Sequence, residues 1–159
     1  MTIRIGILTV SDRASRGAME DRGGPAIAAA LAPLEHEVVG RLVVPDDQAR
    51  IADVLTLWSD VEGMDVIFTT GGTGLGPRDV TPETTLAVAD RQVPGIAEAL
   101  RAAGATKLPQ SMLSRGVAVQ RGKTLILNLP GSPSGAREGV ELVLPVLEHA
   151  ILMMDGGRH

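Results

Sequence analysis

The chain of 159 residues contains no cysteine. Disulfide staples, thiolate metal ligands and a cysteine nucleophile are therefore excluded at once. Aromatic residues are nearly as scarce: Trp58 and Phe68 are the only two, and tyrosine is absent. The interior has to be assembled from Val, Ile, Leu, Ala and Met, a mixture that suits helices laid on both faces of a parallel sheet. An excess of positive charge is missing too, since 15 Lys and Arg stand against 19 Asp and Glu, for a net charge of −4. No basic field is offered to a nucleic acid or an anionic membrane, so any anion bound here must be held by local geometry. No apolar run reaches the ~18 residues of a membrane span. The first residues pass straight into Ile3-Arg4-Ile5-Gly6-Ile7-Leu8 with no charged leader or cleavage site, which reads as a strand and not a signal peptide. A cytoplasmic setting is expected.

What is present is an alternation of short apolar runs and helical patterns. Ile3–Val10, Glu37–Val44 and Asp65–Thr70 read as strands, and Gly116–Gln120 and Thr124–Leu129 as two more, joined by a tight Arg121-Gly122-Lys123 connection. The first of these last two suits an edge strand or a hairpin arm. Helices are expected from Pro25 to about Leu34, Asp47 to Val61, Pro82 to Ala89, Gly95 to Ala103, and Pro133 to about Met154. No internal repeat or linker divides the chain. The order predicts a single doubly wound, three-layer α/β domain with a mostly parallel sheet and helices on both faces. In such sheets ligands sit beyond the carboxyl ends of the strands, and every polar cluster in the sequence lies at such an end.

The most informative cluster is Thr69-Thr70-Gly71-Gly72-Thr73-Gly74-Leu75-Gly76-Pro77-Arg78-Asp79. Four glycines in six residues let the backbone turn its N–H groups towards an anion. Thr70 and Thr73 add hydroxyls and Arg78 a phosphate-pairing fork. Neither a Walker loop nor a dinucleotide fingerprint fits the spacing. A surface loop turned by glycines is the plain alternative, but a position directly after a buried strand favours a binding role. Asp46 and Asp79 each follow a strand, and two carboxylates beside a phosphate site call for a divalent cation such as Mg²⁺. Either is also a candidate helix cap, although Asp47 is better placed than Asp46 to cap the helix that follows. Asn128-Leu129-Pro130-Gly131-Ser132-Pro133 ends a strand and opens a helix, with Ser132 as N-cap and free amides beyond it; a well-capped turn explains it equally. Asn128 carries an amide suited to a heterocycle edge. Ser11, Asp12 and Arg13 end the first strand with hydroxyl, acid and base, and a solvated loop is the even alternative. His36, His149 and His159 have no metal spacing, and the first two are expected to face solvent.

Four motifs occur in one order: Thr9-Val10-Ser11-Asp12-Arg13, Val44-Pro45-Asp46-Asp47, the glycine loop continuing to Pro77-Arg78-Asp79-Val80-Thr81-Pro82-Glu83, and Asn128 to Pro133. Together they resemble the molybdopterin adenylyltransferases of molybdenum cofactor synthesis, of the MogA/MoaB type. The match runs from Ile3 to about Ile151, and Ser114-Arg115-Gly116 fits the same pattern.

The resemblance implies the doubly wound fold and a reaction: Mg²⁺-dependent adenylylation of molybdopterin by ATP, with release of pyrophosphate. By motif, the catalytic and Mg²⁺-holding acids are Asp46 and Asp79. Ser11, Asp12, Arg13, Thr70, Gly71, Gly72, Thr73, Gly74 and Arg78 would surround nucleotide and phosphates. Ser111, Ser114, Asn128, Pro130, Gly131 and Ser132 would lie on the pterin side. Leu75-Gly76-Pro77 fills a loop tip that varies in the family. The resemblance also implies a homo-oligomer, commonly a trimer and sometimes a hexamer, and hand-over to a molybdenum-inserting enzyme, with neither nucleic acid nor membrane as partner. A non-catalytic molybdopterin carrier or scaffold of the same fold is the rival reading; insertion of molybdate is a third.

Overall fold

The structure, a computed structural model, describes residues 1–157; His159 lies outside the described residues. In chain order its elements are β1 (Arg4–Val10), α1 (Asp12–Ser15), α2 (Gly23–Leu31), β2 (Glu37–Val44), α3 (Gln48–Thr56), β3 (Val66–Thr70), α4 (Thr81–Val88), β4 (Arg91–Gln92), α5 (Pro94–Lys107), β5 (Ala118–Arg121), β6 (Thr124–Leu129) and α6 (Pro133–Met154). The strands form one six-stranded sheet in the order β2-β1-β3-β6-β5-β4. The first four are parallel to one another, while at the edge β5 runs antiparallel to β6 and β4 antiparallel to β5. The expected doubly wound, mostly parallel sheet is thus present, with a hairpin appended. Gly122, at φ 54°, makes the β5–β6 turn, a left-handed conformation that glycine adopts without steric cost.

Alternation along the strands sends side chains to two separate cores. Ile5 and Ile7 of β1 join Val66, Phe68, Leu125 and Leu127 beneath α2 and α6, where Ile27, Leu31, Val140, Val143 and Leu147 are buried. Leu8 and Val10, with Ile67 and Ile126, face α3 and pack on Ile51, Leu55, Trp58 and Met64. The one tryptophan fits because two strand positions carry no side chain. A Cβ on Gly6 would lie 2.5 Å from Met64 Sδ and 2.6 Å from Trp58 Cε3, and one on Gly40 would lie 2.8 Å from Met64 Cε.

Helix boundaries moved where capping decided them. Asp47 caps α3, its side chain accepting the Arg50 amide at 2.9 Å, which leaves Asp46 free as the spacing suggested. The helix expected to reach Val61 stops at Thr56 and widens into a π-turn over Leu57–Val61. α2 begins two residues before Pro25 and ends at Leu31. α5 extends to Lys107 and is followed by a 3₁₀ turn over Pro109–Leu113. The two-residue β4 and the short α1 carry too little periodicity to be foreseen. His149 is exposed as expected, but His36 is half-buried and its Nδ1 has no hydrogen-bond partner.

The register of the parallel strands sets the location of the site. Thr9 pairs with Thr70, Thr70 with Leu129, and Val10 with Val44. The loops after β1, β2, β3 and β6 therefore leave the sheet at one edge, although they are spread over 120 residues of sequence.

Candidate active site

The glycine loop leaves β3 with two left-handed residues, Gly71 (φ 98°) and Gly72 (φ 69°). Neither tolerates a side chain: a Cβ on Gly71 would lie 2.2 Å from the Val10 carbonyl oxygen, and one on Gly72 would lie 2.3 Å from Thr81 Oγ1 and 3.0 Å from Asp46 Oδ1. The loop is folded back against the end of β1. Thr70 is buried and donates its hydroxyl to the Pro130 carbonyl at 2.6 Å, which ties the β3 end to the turn before α6. Thr81 donates its hydroxyl to Gly71 O at 3.0 Å and its amide to Gly72 O at 3.2 Å.

On one side of this ridge lies an acid cluster. Asp12 and Asp46 bind each other reciprocally: the Asp12 amide donates to Asp46 Oδ2 at 2.9 Å, and the Asp46 amide to Asp12 Oδ1 at 3.0 Å. Arg78 closes on Asp12 as a two-pronged fork, Nε to Oδ2 at 3.0 Å and Nη2 to Oδ1 at 3.1 Å. That fork, helped by the Asp46 amide, holds the Asp12 carboxyl below the usual carboxylate range. Asp46 moves the other way. Burial raises its carboxyl above that range, and the charges on Asp12 and Asp79 push in the same direction against the favourable Asp12 amide. Asp79 is part-buried, and its Oδ2 accepts the Gly76 amide at 2.9 Å. It does not cap α4, whose N-cap is Val80 without a side-chain bond.

On the other side lies a cleft of about 430 Å³ lined by Thr9, Val10, Ser11, Met19, Asp21, Gly23, Thr70, Gly71, Gly131 and Pro133, among others. Asp21 forms part of its wall, held by the Thr9 hydroxyl at 3.0 Å and the Gly24 amide at 3.1 Å. Asp21 lies twelve positions from Thr9, so this bond across the β1 end is made by the fold and not by a local pattern.

The expected site residues do not all gather in one place. Ser11, Thr70, Gly71 and Gly131 line the cleft, and Ser132 caps α6 beside it through the Gly135 amide at 3.2 Å. Gly72, Gly74, Arg78, Asp12, Asp46 and Asp79 form the acid side. Arg13 is exposed and does not line this cleft; its carbonyl accepts the Ala18 amide at 2.9 Å, and its side chain makes no hydrogen bond or ion pair among the described residues. Ser111 and Ser114 lie beyond the loop, near Gly104 and Gly116. Asn128 needs correction. It is 4% exposed, its amide nitrogen donates to Thr69 Oγ1 at 2.9 Å and Thr85 Oγ1 at 3.0 Å, and its oxygen accepts the Val117 amide at 3.1 Å. Buried and with both amide protons donated internally, Asn128 acts as a scaffold between β6, β3 and α4 and offers no donor to a heterocycle.

A divalent cation fits part of this donor set. Asp46 keeps Oδ1 and Asp79 keeps Oδ1 without a hydrogen bond among the described residues, and hard carboxylate oxygens suit Mg²⁺. No group of three or more His, Asp or Glu residues able to hold a metal occurs among the described residues. A cation here would take one or two carboxylates and complete its shell with ligand phosphates and water. No described helix is long and apolar enough to cross a membrane.

Comparison with known proteins agrees with this architecture. Residues 6–149 match the family described as "Probable molybdopterin binding domain". The molybdopterin adenylyltransferase of Escherichia coli K12 is 44% identical over 145 residues, covering 88% of this chain and 73% of that protein. That of Helicobacter pylori J99 is 39% identical over 160 residues, covering 98% and 89%. The crystal structure of the molybdopterin biosynthesis enzyme MoaB from Thermus thermophilus superimposes with a TM-score of 0.92 at 55% identity, covering 98% of each chain. A mixed sheet with these crossovers, a glycine ridge between an acid cluster and a cleft, and matches along nearly the whole length lead to one assignment: the chain belongs to the molybdopterin adenylyltransferase family of the MogA/MoaB type.

Proposed function

We propose that this protein is a nucleotidyltransferase of molybdenum cofactor biosynthesis that adenylylates molybdopterin. A terminal phosphate oxygen of molybdopterin attacks the α-phosphorus of ATP, a new P–O–P bond forms, and pyrophosphate leaves with the electrons of the broken bond. No covalent enzyme intermediate is needed, so catalysis is positioning and charge neutralisation. The observation that carries the reading is the glycine ridge itself. Among the described residues the amides of Gly72, Thr73 and Gly74 have no protein partner, while the carbonyls of all three accept hydrogen bonds. Such a backbone receives phosphate oxygens even in a chain of net charge −4.

In this reading Gly72, Thr73 and Gly74, with the Ser11 hydroxyl, hold phosphates, Thr70 and Gly71 shape the turn through their bonds to the Pro130 and Leu129 carbonyls, and Arg78 exchanges Asp12 for a phosphate when substrate arrives. Asp46 and Asp79 would hold Mg²⁺, which when bound offsets charge on the departing pyrophosphate. The cleft at Thr9, Met19, Gly23 and Gly131 is large and apolar enough for one heterocycle, and Pro130 and Ser132 flank Gly131 in the chain. The working unit is a homotrimer, supported by the aliphatic side chains that α6 leaves exposed at Leu142, Val146, Leu152 and Met153. Its place is the cytoplasm, where ATP is supplied, and its product passes to a molybdenum-inserting enzyme.

The test is direct. Purified protein given molybdopterin, ATP and Mg²⁺ should release pyrophosphate and form adenylyl-molybdopterin. Full turnover in both Asp46→Asn and Asp79→Asn would overturn the acid assignment. Tight pterin binding with no ATP consumption would identify a carrier instead.

A further inference from the structure

A loop that offers its amides to an anion must have its carbonyl oxygens held away from it. Between Gly71 and Asp79 the holders can be named. Thr81 takes the carbonyls of Gly71 and Gly72, and the Asp79 amide takes that of Gly76 at 3.0 Å. Three further carbonyls go to a single residue that no functional role has yet claimed. Arg115 donates its backbone amide to Thr73 O at 2.8 Å, Nε to Gly74 O at 2.7 Å and Nη2 to Asp79 O at 2.9 Å. Its remaining arm, Nη1, is paired with Glu83 in the first turn of α4.

We infer that Arg115 is the positioning residue of the phosphate site: it sets which way the glycine loop faces and carries Asp79 with it. This rests on the phosphate-binding reading of the loop given above. Three of its five N–H donors, one each on Nε, Nη1 and Nη2, go to protein acceptors, so its part in the site is to hold the loop. It acts by bracing the two ends of the loop, Thr73-Gly74 and Asp79, against one rigid plane. The brace is anchored in turn. Arg101 of α5 donates to Gly116 O at 2.7 Å and Ser114 O at 3.4 Å, on either side of Arg115. The next amide, Val117, is fixed by the buried Asn128. Glu83 fixes the guanidinium's rotation, and its carboxyl is held below the usual range by Arg115. A lysine cannot substitute, since one ammonium lacks the spread of donors that reaches carbonyls at both ends of the loop.

The experiment uses the whole chain with Arg115→Lys, Arg115→Ala and Glu83→Gln. Hydrogen exchange is followed at the amides of Gly72 to Leu75, and kcat, KM for ATP and the Mg²⁺ dependence are measured in the adenylylation assay. Arg115→Lys and Arg115→Ala should lose roughly 10- to 100-fold in kcat/KM, the scale of a misplaced reacting group. Their loop amides should exchange faster and half-saturation by Mg²⁺ should rise. Guanidinium ion, added well below denaturing concentrations, should restore part of the rate to Arg115→Ala and none to wild type. Wild-type kcat/KM in both variants, or a loss of rate with unchanged loop exchange and no guanidinium rescue, would overturn the inference. Glu83→Gln keeps the guanidinium and should show a smaller loss of the same kind; it decides the matter if the Arg115 variants do not fold. Should wild type form no adenylylated product, the enzymatic reading fails separately. Calorimetry with ATP then judges Arg115, and ATP affinity and loop exchange in Arg115→Lys equal to wild type would count against it.

Discussion

Replacing Gly72 with alanine probes how tightly the fold holds the candidate site. The residue has φ 69°, where an L-residue loses roughly 1–2 kcal/mol relative to glycine. Its new Cβ would sit 2.3 Å from Thr81 Oγ1, and Thr81 is fully buried at 0% exposure. The hydroxyl has to move, and its 3.0 Å bond to Gly71 O is lost, which costs about 1–2 kcal/mol for a part-buried carbonyl left unpaired. We expect Gly72→Ala to lower unfolding stability by about 2–4 kcal/mol, measured by urea denaturation with an unchanged slope. Thr81→Ala alone should cost about 1–3 kcal/mol through the same hydrogen bond. Because both changes remove one bond, the double variant should be less damaged than the two single effects added, by about 1–2 kcal/mol. A Gly72→Ala protein within about 0.5 kcal/mol of wild type, or strict additivity in the cycle, would refute the reasoning. Turnover should fall as well, because the same Cβ comes within 3.0 Å of Asp46 Oδ1.

Two further outcomes follow from the site's electrostatics and capping. Asp46→Asn should abolish turnover yet stabilise the fold at neutral pH, since it removes a charge that burial and the neighbouring Asp12 and Asp79 disfavour, while an amide oxygen still accepts the Asp12 amide. A raised folded pKa contributes stability below the unfolded value and loses it as pH rises, so the advantage of Asp46→Asn over wild type should shrink towards the ordinary Asp value of 3.8. Urea unfolding at neutral and acid pH checks this, and equal differences at both would contradict it. Asp12, Asp60 and Glu83, lowered by Arg78, Arg121 and Arg115, have the opposite sign: their support is present above the ordinary carboxylate range and is lost as pH falls through their lowered values. Ser132→Ala should cost about 1 kcal/mol through loss of the α6 cap, read from the thermal midpoint.

Two helix caps were legible because one short segment contains both partners, although the equally local bond of Asp79 to the Gly76 amide was not foreseen. Asp47 capping α3 and Ser132 capping α6 each follow from a side chain and an amide three residues apart. The positive φ of Gly71 and Gly72 follows from the glycine run itself. Asn128 was misread because its partners, Thr69 and Thr85, lie 59 and 43 positions away. Seen alone, an amide at a strand end looks available; in the fold it is enclosed. Arg78 was foreseen as a phosphate partner, but its fork on Asp12 spans 66 positions and depends on the loops after β1 and β3 meeting.

The sequence by itself determined the aliphatic make-up of the core, the order of the main strands and helices without α1 and β4, and the glycine loop with its flanking acids. Alternation, capping and glycine torsions are local properties that a dozen residues suffice to express. Only the tertiary structure decided that Asp12 and Asp46 bind each other's amides. It alone placed the cleft on the far side of the ridge from them, and assigned the loop's outward carbonyls to Arg115. Those pairings exist because parallel strands bring their carboxyl ends to one edge, and which strands become neighbours is decided by crossovers between segments far apart in sequence.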